Sequence, residues 1–225
     1  MNETNANRIK LHLPPVIASI IGDRSMIKRT IGRSGNSVYA VGKDLYLKVS
    51  PHIEDLRRER DTDIWLEGKL PGGISIPRVG AYDEVIHPIS GEMLGYLLTS
   101  SVSGTPASSP PYIKDPTRLC NLLADAVRIF HELSPEGCPA PADKLRPGDV
   151  VIHGDFCLPN ILLHRSRVNG YVDLGHVTVG DPWEDYAWCL WSLEYNLKTD
   201  AYNPLLLDAL GLTFDEEKYN RYTKL

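Results

Sequence analysis

The segment VIHGDFCLPNILL, residues 151–163, sets two oxygen-bearing side chains, Asp155 and Asn160, between the apolar runs Val151-Ile152 and Ile161-Leu162-Leu163. Short apolar runs of this kind read as buried strands, so the polar residues sit on a loop held from both sides. An aspartate followed five residues later by an asparagine, with His153-Gly154 before it and Asp173-Leu174-Gly175 after it, matches the H-R-D…N and D-F-G spacing of phosphoryl-transfer loops. In that chemistry the first aspartate orients or deprotonates the attacking hydroxyl, while the asparagine and the second aspartate hold Mg²⁺ against the triphosphate charge. A hairpin joining Asn160 to Asp173 would bring two oxygen ligands onto one metal.

Such a site needs a cation for the phosphates, and Lys48 closes the alternating strand DLYLKV in the manner of the lysine that holds the α- and β-phosphates. Its partner should be a carboxylate on the following helix. Glu59 lies on the inward face, seven residues before Leu66, but Asp63 projects in nearly the same direction, so spacing leaves both open. The turn Gly32-Arg33-Ser34-Gly35 could lay backbone N–H groups over phosphate oxygens, although a two-glycine turn is commonplace. A P-loop is excluded, because the chain has no G-x-x-x-x-G-K-[ST] run.

These residues need a scaffold. Residues 28–49 read as three short antiparallel strands, residues 53–69 as a helix with Leu56, Leu66 and Leu70 inward, and two more strands are expected near Ile74–Val79 and Leu94–Leu98. The Ser, Pro and Gly of residues 99–111 read as a connector. Past it, Asp115-Pro116 opens a strongly amphipathic helix with Leu119, Leu122, Leu123, Ala126, Phe130 and Leu133 on one stripe. Asn169-Gly170 suggests a hairpin turn, and Asp181-Pro182 opens a further helix. The fold class is therefore α+β and two-lobed, with a nucleotide-binding lobe at 1–98, a connector at 99–111 and a mainly helical catalytic and acceptor lobe at 112–225.

A net charge of -5 offers no basic face for nucleic acid, and no apolar run reaches the roughly 18 residues of a membrane span. With no secretory h-region in MNETNANRIK, the chain is expected in the cytoplasm, acting on a small molecule without a nucleic-acid or membrane partner. Four scattered cysteines fit reduced packing residues, and Cys157 has no evident base beside it. His131 and His153 read as structural histidines; Trp183, Trp188, Trp191 and Tyr195 could stack on a substrate, but Trp188, Trp191 and Tyr195 recur at helical spacing, and core packing is the preferred reading.

Taken together, HGDFCLPN, VDLGHVTVGDPWEDYA, LYLKV and RERDTDIWLEGKLP closely resemble the aminoglycoside phosphotransferase family, small-molecule kinases of protein-kinase-like fold, over roughly residues 28–222. The resemblance implies Asp155 as the catalytic residue, Asn160 and Asp173 as Mg²⁺ ligands, and Lys48 with Glu59, rather than Asp63, as the phosphate-positioning pair. It further implies Tyr46 on the adenine, backbone groups of Ser100 and Val102 at its edge, and Ser34 on a phosphate, with ATP as donor and GTP as the alternative nucleotide. The implied activity is transfer of the γ-phosphate to a hydroxyl of an aminoglycoside antibiotic, hence resistance.

Three departures bear on the acceptor. The family's helical insertion between the long helix and the H-G-D loop, an acidic wall of the antibiotic pocket, is replaced by a short Pro-rich stretch, Ser134–Gly148. The usual arginine after Asp-Leu-Gly is His176. Acidic positions of the next helix read Tyr195 and Asn196, and the acidic C-terminal tail is absent. Glu184 and Asp185 are the remaining acidic candidates for acceptor contact, with Glu194 further along, although Asp185 is equally placed to brace the loop and Asp181 to cap its helix. The alternatives are a kinase of another small acceptor and a nucleotide-binding protein that has lost acceptor turnover. A protein kinase fits less well, since only His176–Gly180 separates Asp-Leu-Gly from the Asp181 cap.

Overall fold

The computed structural model describes residues 12–29, 36–88, 90–139 and 146–224, so the expected phosphate turn with Ser34 lies outside the described residues. Contacts divide the chain into two compact units, one running to Ile64 and adding Pro77–Ser101, the other comprising Trp65–Ile76 and everything from Val102.

The first unit is an antiparallel sheet of five strands, β1 (Met26–Arg29), β2 (Ser37–Val41), β3 (Leu45–Ser50), β4 (Val79–Ile86) and β5 (Met93–Ser100), in the order β1-β2-β3-β5-β4. Strand alternation sends Tyr39, Val41, Leu47, Val49, Tyr96 and Leu98 to one face, where they pack with Ile17 and Ile21 of helix α1 (Pro15–Ile21). Lys48 therefore projects from the opposite face. There α2 (Ile53–Leu66) brings the buried Leu56 next to Gly95. The strand expected at Ile74–Val79 is corrected: Pro77 has no N–H to pair, only Ser75 makes an isolated bridge, to Gly170, and regular pairing begins at Val79.

The second unit is organised around α4 (Pro116–His131), which follows β6 (Thr105–Pro106) and the short α3 (Pro110–Ile113). Asp115 caps α4 by accepting from the Arg118 amide at 3.2 Å. Leu119, Leu122, Leu123, Ala126 and Phe130 then bury against Phe156, Leu158, Tyr171, Leu190 and Leu193. Around it stand β7 (Val150–Ile152), β8 (Ile161–His164), β9 (Arg167–Tyr171) and β10 (Thr178–Gly180), then helices α5 (Trp183–Leu197), α6 (Asn203–Leu210) and α7 (Glu216–Thr223). β7 pairs with β10, and β8 with both β6 and β9. The four cysteines are unpaired, and among the described residues no helix is long and apolar enough to cross a membrane.

The hairpin turn expected at Asn169-Gly170 is also corrected. The chain reverses between His164 and Arg167, with Arg165 at φ 56°, and Asn169-Gly170 lies within β9 at a bulge. Gly170 serves close backbone approach instead: a Cβ there would stand 2.3 Å from the Ser75 carbonyl oxygen, which accepts from the Tyr171 amide at 3.1 Å. Gly170→Ala should accordingly cost about 1–3 kcal/mol of stability, as overpacking does. A denaturant titration with an unchanged midpoint would contradict this packing.

Candidate active site

The loop between β7 and β8 is held from beneath by one buried carboxylate. Asp185, in the first turn of α5, is fully buried and accepts from the His153 amide at 2.9 Å, the Gly154 amide at 2.9 Å and His131 Nε2 at 3.0 Å. Three donors gather on its two oxygens from within the fold, the contacts that a bracing role requires. Gly154, at φ 75°, passes so near the next turn that a Cβ would lie 2.4 Å from the His176 carbonyl oxygen. His153 is fully buried, its Nε2 at 3.1 Å from the Val172 carbonyl and its Nδ1 accepting from the Asp155 amide at 3.4 Å. That pattern ties the imidazole to main-chain groups on both sides, the structural role that the sequence suggests.

With its base fixed, the loop presents Asp155 and Asn160 as a unit. Asn160 Nδ2 donates to Asp155 Oδ2 at 2.9 Å and to its carbonyl at 3.0 Å. This turns the amide oxygen of Asn160 away from Asp155, as a cation ligand would require. The middle of the loop is pinned by Ser192 of α5, whose hydroxyl accepts from the Leu158 amide at 3.0 Å. Burial, followed by the nearby Asp155, pushes the Cys157 thiol well up, which removes it as a nucleophile.

The hairpin β8–β9 joins the segments that carry Asn160 and Asp173. Ile161 faces Tyr171, and the Val172 amide donates to the Asn160 carbonyl at 3.0 Å, so Asn160 and Asp173 leave facing ends of one ladder. Asp173 takes a left-handed conformation, φ 63°, and is exposed; the 3-10 turn Leu174–His176 follows it. Aspartate tolerates that backbone better than most side chains, and such conformations recur at functional sites. An amide oxygen and a carboxylate form an all-oxygen donor set that suits Mg²⁺, which takes few protein ligands and fills its shell with water and phosphate. Among the described residues no cluster of three or more His, Cys, Asp or Glu offers a different metal site.

In the first unit the lysine partner is resolved. Lys48 Nζ lies 2.5 Å from Glu59 Oε1, both largely buried, while Asp63, one turn on, is also buried in α2. The flank of α2 is clamped to β4: Arg57 meets both oxygens of Glu84 at 2.6 Å, Tyr82 donates to Glu84 at 2.6 Å, and Arg60 sits 4.5 Å over the Tyr82 ring. Arg57, then Tyr82, hold the Glu84 carboxyl down at about 2. Tyr46 lies two residues before Lys48 on the same face of β3 and pairs with Thr99 across the sheet. Ser100 ends β5, its amide on the Arg78 carbonyl at 2.9 Å and its hydroxyl accepting from the Arg78 amide at 3.0 Å; Val102 belongs to the second unit. Glu184 is half-buried at the start of α5.

Sequence reasoning missed Ser192 and the Arg57–Glu84 clamp. Both are single polar residues whose partners lie 34 and 27 positions away, and no local spacing marks them.

The sequence matches the model of a phosphotransferase enzyme family, APH, over residues 28–148 and 140–222. Aminoglycoside 3'-phosphotransferase of Niallia circulans is 26% identical over 273 positions that take in all of this chain and 98% of that protein. Since 273 positions exceed the 225 residues here, that relative carries internal residues that this chain lacks. Streptomycin 3''-kinase of Streptomyces griseus is 30% identical, with 70% of this chain and 74% of that protein covered. Among solved structures, aminoglycoside phosphotransferase APH(3'')-Id from Streptomyces rimosus matches with a TM-score of 0.73 at 23% identity, over 99% of this chain and 97% of that one. The fold is accordingly the protein-kinase-like α+β fold of those enzymes.

Asp185→Asn tests the brace without changing its size, because an amide accepts at one oxygen only and sets an NH2 against an N–H donor. Each donor left unsatisfied costs about 1–3 kcal/mol, so the variant should unfold at clearly lower denaturant. A midpoint equal to that of the parent would show that the loop is held by something else.

Proposed function

Because the chain belongs to the phosphotransferase enzyme family, we propose that it transfers the γ-phosphate of ATP to a hydroxyl of a small molecule, an aminoglycoside by the names of its relatives. The observation that carries this reading is the Asp155–Asn160 pair on a braced loop, with Asp173 leaving the facing end of the same hairpin. A solved neighbour described as a complex with ADP and streptomycin supports the nucleotide and the acceptor class.

In this reading the acceptor hydroxyl oxygen forms a bond to the γ-phosphorus as the bond to the β-phosphate oxygen breaks. The Asp155 carboxylate orients the hydroxyl and takes its proton. Asn160, through its amide donors, keeps one Asp155 oxygen occupied and leaves the other to face the acceptor. Lys48, fixed by Glu59, holds the α- and β-phosphates as a point charge. Tyr46 packs on the adenine, backbone groups of Ser100 and Val102 hold its edge, and Ser34 touches a phosphate. Asn160 and Asp173 would hold Mg²⁺, which neutralises charge developing on the transferred phosphoryl group. Glu184, half-buried at the start of α5, is the carboxylate assigned to acceptor contact.

A polypeptide acceptor is disfavoured by the backbone itself. After Asp173 the chain makes one 3-10 turn, enters β10 at Thr178 and pairs with β7, so no long segment is left on which a peptide could dock.

Asp155→Ala should lower turnover about 10²- to 10⁴-fold in a coupled ADP-release assay while nucleotide affinity by calorimetry is retained. Full activity in that variant would overturn the proposal.

A further inference from the structure

The Lys48–Glu59 pair depends on a helix with little apolar surface to hold it. Within the first unit, which takes α2 as far as Ile64, Leu56 is its one buried apolar residue, and Ile64 is 54% exposed. The inward positions after Leu56 are filled by Glu59, Thr62 and Asp63, all buried. Burial of apolar surface is non-directional, so a helix seated on a single leucine is free to roll about it. What fixes its angle has to come from the flank.

The flank carries a closed set of contacts. Arg57 donates to both oxygens of Glu84 at 2.6 Å and, through its remaining terminal nitrogen, to Glu54 at 2.7 Å. Tyr82 donates to Glu84 at 2.6 Å, and the Arg60 guanidinium stands 4.5 Å over the Tyr82 ring. Tyr82 and Glu84 are two positions apart on one face of β4, and Arg57 and Arg60 three apart on α2, so two neighbouring side chains of the strand meet two neighbouring side chains of the helix. Glu59 lies between those arginines in the sequence and takes Lys48 at 2.5 Å.

Both attachments are made to the same sheet. Tyr82 is paired across it with Leu97, and Leu97 with Lys48, so the tyrosine and the lysine belong to one row of the ladder, about 10 Å apart at two strand spacings. Helix α2 therefore meets the sheet at two separated places, on β4 through Arg57 and Arg60 and on β3 through Glu59. A roll of the helix that moved Glu59 off Lys48 would have to break the parallel bonds to Glu84. The Arg57 side chain is 42% exposed, and an ion pair in that setting adds little to stability. A bidentate pair fixes direction.

We propose that Arg57 and Glu84 are positioning residues of the phosphate site: by fixing the roll of α2 they hold Glu59, and through it Lys48, where the lysine meets the nucleotide phosphates. This rests on the reading of Lys48 as the phosphate-holding lysine of a kinase and extends that site to a strand two removed from it. The effect of the clamp on nucleotide affinity passes through Lys48.

The test is a double-mutant cycle on the full chain, read by calorimetry with a nonhydrolysable ATP analogue and Mg²⁺. Glu84→Gln keeps the size of the side chain and removes its charge. It should weaken binding about 3- to 10-fold, part of the roughly 10- to 100-fold that a whole charge-assisted contact supplies, with a denaturant midpoint close to that of the parent. Arg57→Lys keeps the charge and gives up the parallel bonds, and should fall between the parent and Glu84→Gln. In a Lys48→Ala background, at the higher analogue concentration this requires, Glu84→Gln should have no further effect. A merely structural role would weaken binding in both backgrounds alike, and that result overturns the inference, as does parental affinity in Glu84→Gln and Arg57→Lys. In either case a Lys48→Ala variant that itself binds more weakly than the parent leaves the phosphate-site reading standing. Parental affinity in Lys48→Ala, or a parent that binds no nucleotide, sinks that reading and the inference together.

Discussion

The geometry of the loop hangs on the Asp185 carboxylate. A fully buried carboxylate is costly unless its lone pairs are filled, and here two of its three donors are consecutive main-chain amides, those of His153 and Gly154. Main-chain donors cannot swing aside as side chains do, so the carboxylate fixes the peptide planes immediately before Asp155. Gly154 is required for the same reason, since its left-handed backbone and close pass by His176 admit no Cβ. Everything outward of this point inherits its precision: Asp155 follows by one residue, Asn160 bonds to Asp155, and the ladder to Val172 carries the position across to Asp173.

The first unit solves a different problem with the same means. Lys48 is a flexible side chain on a strand, and strand alternation decides only the face on which it emerges. Glu59 narrows it to one place, but Glu59 rides on a helix, so the helix must be fixed in turn. The bidentate Arg57–Glu84 pair and the Arg60–Tyr82 contact do this from the flank while Leu56 does it from below. An ion pair this exposed contributes little net stability, and its value here is orientational: two parallel N–H···O bonds fix an angle where a single contact would allow pivoting.

Sequence patterning revealed what depends on period and local spacing. The α4 stripe and its Asp115-Pro116 opening, the meander around Lys48, and the Asp155–Asn160 pair were visible, because each is set by local period or spacing. Features that depend on what meets across the fold were not. Asn169-Gly170 has turn chemistry, yet close approach of the Ser75 backbone claims the glycine and Arg165 makes the turn. Glu59 and Asp63 share a helix face, and only the resemblance to a family, not the spacing, distinguished them before the ion pair did. Asp185 could be read from sequence as an acceptor contact or as a brace, and the three donors that gather on it come from residues 31 to 54 positions away.

The same division between buried and exposed faces runs through the second unit, where of the three expected core aromatics Trp188 packs on the core and Tyr195 is 56% exposed. The residues around Asp155 are tied to main-chain groups and to a buried helix face, so a substitution there propagates into the core through Phe130, Phe156 and Tyr171, whose rings stand 5.1 to 6.3 Å apart. The face of α5 that carries Trp191 and Tyr195 has no such ties: its rings contact each other, the edge of Trp188 and a lysine, and their replacement leaves the Ser192 link to the loop untouched. A helix can therefore exchange acidic for aromatic residues on that side at little cost to folding, while Asp185, on the buried side of the same helix, cannot change without disturbing the loop. The geometry of the loop is in this sense written on the buried side of α5.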